Sequence, residues 1–411
     1  MSGLAFARAP SPALPIRFLS TALAWGIVAG LWLAWHGDAV VLSRWTPATL
    51  VLVHMLTLGL LGNGMLGSLV QFLPVAAGSP LPCARCVPWL HGAFNVGLMA
   101  LLATLAWQLR ALAWPAGGLL GVSLVMFATL ALVAVARGNG ERVVRDGIGL
   151  ALIALVATTF LGLVLLAART GWRVPAPPGL VDLHAVFGTL GWILGLLAAV
   201  SSITLPMLQG THAVSPVASR IWQASLLATL GIVAAAQVRL LPDAAWRVAA
   251  WPFAVFGIAA FVLQARAPHR RNPTLRRFWQ AGCTALLAAS VTAMWSGTSL
   301  LLVGTLVLGV GLPLLMVGMA LEITAFLTWI ALRQRVPRGI RVPGVGSLFE
   351  EADKRRAFAV HVIAGALLMM VTLAPVLTRT AGFAVALAYA VSLHGQRRCW
   401  RQATTWQRDD G

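Results

Sequence analysis

The chain has 411 residues, of which 59% are hydrophobic and only 10% are charged. Soluble domains carry about 25% charged residues, so this composition excludes a soluble globular protein and predicts an all-α integral membrane protein whose main partner is the lipid bilayer. A formal net charge of +19 would suggest nucleic-acid binding in a soluble protein. In a membrane protein, short basic loops facing an anionic leaflet explain that charge, and no nucleic-acid partner is expected.

Apolar segments of roughly 20 residues, the length needed to span a bilayer, recur along the whole chain. Twelve transmembrane helices are predicted, at 17–36, 47–76, 89–108, 112–136, 147–168, 181–208, 218–238, 246–265, 279–295, 299–332, 357–378 and 381–396. The tenth is longer than a bilayer requires. Together they predict a polytopic helical bundle that forms one transmembrane domain over residues 1–411.

The distribution of basic residues predicts the orientation of the bundle. With the N-terminus inside, 23 of the 30 Lys and Arg residues fall on the cytoplasmic side and 7 on the outer side, so both termini are expected in the cytoplasm. The cytoplasmic parts then include an irregular loop at 333–356, between helices 10 and 11, and a tail at 397–411. The first helix is longer than a signal-peptide core and is expected to be retained.

Helices 2 and 6 share a repeated signature: a histidine near the start, two glycines soon after it, and Leu-Pro-x-x-x-Gly at the far end. The first copy consists of His54, Gly59, Gly62 and the segment 73–78. The second copy consists of His184, Gly188, Gly191 and the segment 205–210. Both helices run from outside to inside, so both histidines are expected in the outer half of the bilayer at similar depth.

An imidazole in hydrocarbon costs free energy unless it finds a partner. Two imidazoles in matched settings therefore suggest a shared explanation, such as a bound metal or heme. Below His184, the positions Gly188, Gly191 and Gly195 fall on the same face of the helix. This flat strip could accept a porphyrin plane whose iron the imidazole binds, or it could let another helix pack closely.

Three further buried side chains each have more than one possible role. His91 and His361, near the cytoplasmic starts of their helices, could form a second metal site or could be interfacial histidines that touch headgroups or backbone carbonyls. Glu322 is the only acidic residue deep in a predicted span, which suggests a proton relay or a cation site. It could equally be a protonated carboxyl bonded to one neighbour, or a group close to the cytoplasmic interface.

Cys83 and Cys86 form a C-x-x-C motif in the cytoplasmic loop after helix 2. Val87 excludes the CxxCH motif that attaches c-type heme. A zinc site would need further ligands from His91, or from His394 and Cys399. The alternative is a pair of unpaired loop thiols, as expected in a reducing compartment.

The helix 2 stretch HMLTLGLLGNGMLGSLVQFLPVAAG and the helix 6 stretch LHAVFGTLGWILGLLAAVSSITLPM resemble two related groups of membrane proteins. These are the catalytic subunit of heme–copper oxidases and nitric oxide reductases, and the NnrS family of heme- and copper-containing proteins. The resemblance implies a location in the bacterial inner membrane, a b-type heme or copper as cofactor, and a redox or respiratory partner. It implies a role in electron transfer, the nitric oxide response or metal homeostasis.

The chain also departs from that pattern. Helix 10 contains no histidine, no His-His dipeptide occurs, and the sole tyrosine, Tyr389, lies on helix 12. A complete binuclear oxygen-reducing centre therefore cannot be assembled, which leaves open whether the protein is an enzyme.

The leading hypothesis is a heme-binding membrane protein with His54 and His184 as axial ligands and Gly188, Gly191 and Gly195 holding the macrocycle. The resemblance also keeps His184 as a copper-ligand candidate. The alternatives are a proton-coupled secondary transporter and a non-catalytic assembly or sensory subunit.

Overall fold

The computed structural model describes residues 11–406 except 173, 175, 178, 296, 298 and 338. About 84% of the structure is helical, and the described residues contain no β-strand. The twelve long helices are α1 (Ala13–His36), α2 (Pro47–Phe72), α3 (Val87–Trp107), α4 (Ala113–Arg137), α5 (Arg142–Arg169), α6 (Leu180–Gln209), α7 (Pro216–Gln237), α8 (Trp251–Ala265), α9 (Pro273–Met294), α10 (Leu300–Arg335), α11 (Glu351–Val371) and α12 (Thr378–Thr405).

Ten helices of the described chain are long and apolar enough to cross a membrane, which confirms the all-α class and supports a multi-pass membrane protein. The other two long helices, α9 and α11, are more polar. Both begin six residues before the predicted spans. In α11 the first turn contains Glu351 and Asp353, and acidic side chains at a helix N-terminus are favoured by the helix dipole. Hydropathy detects the apolar part of such a helix and misses its polar first turns.

The two predicted cytoplasmic segments are more helical than expected. Within the predicted loop at 333–356, α10 continues to Arg335, a helical turn forms at Val345–Leu348, and α11 has already begun at Glu351; Arg338 lies outside the described residues. The predicted tail at 397–411 is largely the end of α12, because buried side chains such as Cys399 keep one face of that helix packed. Residues 407–411 lie outside the described part.

Contacts between Cα atoms divide the chain into two compact units. The first unit contains α3 to α8 and the part of α9 from Leu286 onward. The second unit contains α1, α2, the part of α9 up to Ala285, and α10 to α12. The prediction of one transmembrane domain over the whole chain stays a prediction.

Glycines bring helices of the second unit into close contact. A methyl group at Gly30 of α1 would strike the backbone of α12, and one at Gly382 of α12 would strike the backbone of α1. On α2, Gly59 packs against the indole of Trp25. Small residues at such crossings let helix backbones approach and gain van der Waals contact, which replaces the hydrophobic driving force that lipid removes.

The two copies of the signature share two backbone features, although a π-helical segment at Leu73–Ala77 precedes Gly78 whereas the α-helix itself continues to Gln209 before Gly210. A π-helical segment follows each histidine, at Met55–Gly62 in α2 and at Phe187–Leu194 in α6. At the far end, Gly78 and Gly210 both adopt the left-handed conformation with φ of +71°. Because only glycine reaches that region without strain, Leu-Pro-x-x-x-Gly is in each copy a signal that ends the helix.

Candidate functional site

His54 lies in the second unit, at the last residue of α2 before its π-helical segment. Its side chain is half-buried, and its Nδ1 lies 2.8 Å from the carbonyl oxygen of Leu50, one turn earlier in the same helix. The local helix therefore fixes the orientation of the ring.

His184 lies in the first unit, three residues before the π-helical segment of α6. Its Nδ1 lies 3.0 Å from the carbonyl oxygen of Thr158 on α5. The ring rests on Gly162 of the same helix, where a methyl group would lie 3.0 Å from the Cε1 atom of His184. The neighbouring helix, not the histidine's own turn, orients this imidazole.

The two hydrogen bonds define the same tautomer at both histidines. A carbonyl oxygen only accepts, so Nδ1 must carry the proton and donate it. In the neutral ring the lone pair then resides on Nε2, the nitrogen that would bind a metal. Ligating histidines almost always have their other nitrogen bound in this way to a carbonyl or carboxylate. Both signature histidines therefore have the electronic arrangement of a ligand.

The glycine strip below His184 packs against neighbouring helices. A methyl group at Gly188 would lie 3.2 Å from Thr158 Cγ2, and one at Gly191 would lie 2.7 Å from the Cβ of Ala154. Both neighbours belong to α5, and Gly195 faces α7 in the same manner. Gly191 and Gly195 also line a cavity between α5, α6, α7 and α8, so the strip is only partly covered by helix packing. The prediction that it holds a macrocycle stays a prediction.

The two histidines of the predicted inner metal site belong to different units, His91 to the first and His361 to the second. The Nε2 atom of His361 lies 3.0 Å from the Ser392 hydroxyl, and its ring meets Tyr389 edge-on at 4.8 Å between centroids. Among the described residues, no three His, Cys, Asp or Glu side chains are placed to share a metal ion. A site built from His91 and His361 stays a prediction.

Cys83 and Cys86 are joined by a disulfide bond, so the expectation of unpaired loop thiols is wrong. The turn formed by the two residues between them brings their Cα atoms to 5.5 Å, a normal separation for a disulfide. Disulfide sulfurs are not thiolates, and this pair in its oxidised form does not offer the ligands that zinc requires. The third candidate sulfur, Cys399, is buried on α12 near the Thr328 hydroxyl.

Glu322 of α10 forms a buried ion pair with Lys354 of α11. The Nζ and Oε1 atoms lie 2.5 Å apart, and the lysine and glutamate side chains are only 3% and 4% exposed. Of the alternatives for Glu322, a carboxyl bonded to one neighbour is closest to the structure, with an ammonium as that neighbour. Lys354 was missed by the sequence reasoning, although it is the only lysine among the 30 basic residues.

A second buried polar group connects three helices of the second unit. The side chain of Gln396 on α12 accepts a hydrogen bond from the Ser20 hydroxyl of α1 at 3.0 Å and donates one to the Thr324 hydroxyl of α10 at 3.3 Å. Each partner satisfies a group that would otherwise be costly in a membrane interior. This arrangement and the Glu322–Lys354 pair hold α1, α10, α11 and α12 together, and neither presents a reactive nucleophile.

No protein-family model matches the chain, and no curated protein matches it either.

Proposed function

We propose that the protein is a heme-binding membrane protein of the bacterial inner membrane, with His54 and His184 as its heme ligands. The observation that carries this proposal is the matched hydrogen bonding of the two histidines, from which the same tautomer follows. Each holds its Nδ1 proton on a backbone carbonyl, of Leu50 or of Thr158, and so directs its lone pair to Nε2.

A heme suits such a site better than a protein-only metal centre does. The porphyrin supplies four ligands, so one or two histidines complete the coordination. A bound heme would supply one-electron chemistry, in keeping with a role in electron transfer, the nitric oxide response or metal homeostasis. The chain's own part is to orient the imidazoles and to hold the proton at Nδ1.

The backbone around each histidine gives a second line of support. π-Helical turns are rare and occur frequently at functional sites, because the extra residue per turn redirects the side chains beside it. Both signature histidines precede such a segment. Two other π-helical segments, Leu73–Ala77 after α2 and Thr305–Gly311 in α10, do not directly follow a histidine, so the combination is more specific than the π-helix alone.

The proposal includes twelve membrane spans with both termini in the cytoplasm, which requires α9 and α11 to cross as well. The charge of Lys354 on α11 is opposed by Glu322 at 2.5 Å. Pairing lowers the cost of placing an ionised group in a membrane, so this lysine does not prevent α11 from spanning.

Absorption spectra of the purified full-length protein test the ligand assignment. We expect a Soret band in protein from heme-replete cells, and a loss of most heme per protein in His54→Ala and in His184→Ala. The matched control is His212→Ala, because His212 is an exposed loop residue. Equal heme content in all three variants would refute the assignment.

A second candidate function, a proton-coupled transporter, is favoured by the buried Glu322–Lys354 pair, since ionisable groups inside membranes often belong to ion pathways. This candidate predicts a proton flux into liposomes that contain the protein: under an imposed potential the interior acidifies, as reported by an internal pH dye. Glu322→Gln should abolish this proton flux. The heme proposal predicts no flux above that of empty liposomes.

A further inference from the structure

We infer that the first unit binds an anionic phospholipid, with one acyl chain in a cavity between α5, α6, α7 and α8 and the phosphate at Arg220 and Arg266. The inference does not rest on the heme proposal: neither His54 nor His184 lines this cavity, although Gly191 and Gly195 of the glycine strip do.

The cavity has a volume of about 470 Å³, within the range of about 300–1,000 Å³ that is typical of ligand sites. It runs from the surface of the unit into its interior. Ile221 at the rim is 65% exposed, whereas Leu226 and Phe256 at the floor are 7% and 6% exposed. Because α5 to α8 are candidate membrane-spanning helices, a cavity open at their surface is open to lipid.

Several polar side chains of the lining already donate their hydrogen bonds within the protein. Ser202 and Ser225 donate to backbone carbonyls of their own helices at 2.7 and 2.8 Å. The amide of Gln223 donates to the carbonyl of Val143 on α5 at 2.7 Å. The remaining lining residues are almost all aliphatic or aromatic. A polar ligand would lose its hydrogen bonds to water in this cavity, while a hydrocarbon chain would lose none.

At one end of the cavity, α6 and α8 stop side by side. Gln264 near the end of α8 donates a hydrogen bond to Gln209 at the end of α6, at 2.8 Å, and both side chains are buried. The Nε2 atom of Gln209 has no hydrogen-bond partner in the described part of the chain. The Oε1 atom of Gln264 has no partner in the described part of the chain either, and neither glutamine lines the cavity. This amide pair therefore marks where α6 and α8 end and is not a contact with the occupant.

The same end carries positive charge. Arg220 follows Ser219 and precedes Ile221, both of which line the cavity, and Arg266 comes three residues after the lining residue Leu263. Both arginines are exposed, and neither is paired with a carboxylate within the described chain. Basic pockets between membrane helices bind anionic lipid headgroups, and arginine matches phosphate geometrically. The hydrocarbon cavity and the cationic end together fit an anionic phospholipid.

Native mass spectrometry of the full-length protein released from nanodiscs tests this site, with phosphatidylglycerol and phosphatidylcholine as the lipid probes. The cavity variant is Ala218→Phe. Its control is Ala224→Phe on the same helix, at an exposed position outside the lining. We expect a retained phosphatidylglycerol adduct, reduced about tenfold or more by Ala218→Phe and unchanged by Ala224→Phe.

The headgroup part is tested separately with Arg220→Gln/Arg266→Gln, two exposed positions that leave the packed core intact. Each arginine is expected to contribute about fivefold to the retention of phosphatidylglycerol. This variant should therefore lower that retention about 25-fold and abolish the preference over phosphatidylcholine. The control is Arg110→Gln/Arg169→Gln, at the opposite helix ends, with retention unchanged. Three results would overturn the inference. The cavity variant and its control could retain phosphatidylglycerol equally, or the unmodified protein could retain both lipids equally. Oleate at equal concentration could also displace the adduct.

Discussion

Replacing Lys354 by Met should destabilise the second unit more than any substitution of an exposed basic residue. The side chains of Lys354 and Glu322 are 3% and 4% exposed and 2.5 Å apart, so removing the ammonium leaves a carboxylate without its counter-charge and without water. Breaking a buried ion pair from one side costs about 3–5 kcal/mol. The double variant with Glu322→Gln should cost much less than the sum of the two single variants, because it removes both charges together.

Unfolding by SDS in mixed micelles, followed by circular dichroism, measures these free energies. The matched control is Arg142→Met, which breaks the solvent-exposed pair with Asp146, 3.9 Å away, and should cost no more than about 0.5 kcal/mol. If Lys354→Met costs no more than this control, or if the two changes at Lys354 and Glu322 are additive, the ion pair does not stabilise the unit as described.

Three other predictions concern packing and sulfur chemistry. Gly162→Ala should lower the heme content, because its methyl group would lie 3.0 Å from the signature imidazole of α6; Gly149→Ala on the same helix, with its nearest neighbour at 3.9 Å, should have no effect. Gly30→Ala should cost about 1–3 kcal/mol in the SDS titration, because the methyl group strikes the backbone of α12. Alkylation of the denatured protein should label two cysteines without reductant and four with it, whereas four without reductant would exclude the disulfide between Cys83 and Cys86.

The long helices were predictable from the sequence because a bilayer demands about 20 consecutive apolar residues, a signal that needs no knowledge of neighbours. The predictions were less accurate where a helix continues into polar surroundings. α11 begins at Glu351 and α12 reaches Thr405, and in both regions the helix is maintained by packing on one face. Average hydropathy does not detect such a face.

The candidate site was only partly predictable. The spacing of His184 and its glycines defines a flat helix face, but the residues that contact this face belong to α5 and α7, and periodicity within one helix does not identify them. The hydrogen bond from His184 to Thr158 spans 26 residues, and the ion pair from Lys354 to Glu322 spans 32. Such partners depend on the tertiary arrangement. The rarity of lysine was visible in the sequence and could have identified Lys354.

The central claim is that the chain carries heme, and the most direct test is the ratio of heme to protein in the purified full-length chain, measured by the pyridine hemochrome spectrum together with iron analysis. The account predicts iron and b-type heme in equal amounts, bound in proportion to the protein. A colourless, iron-free protein purified from heme-replete cells would contradict it.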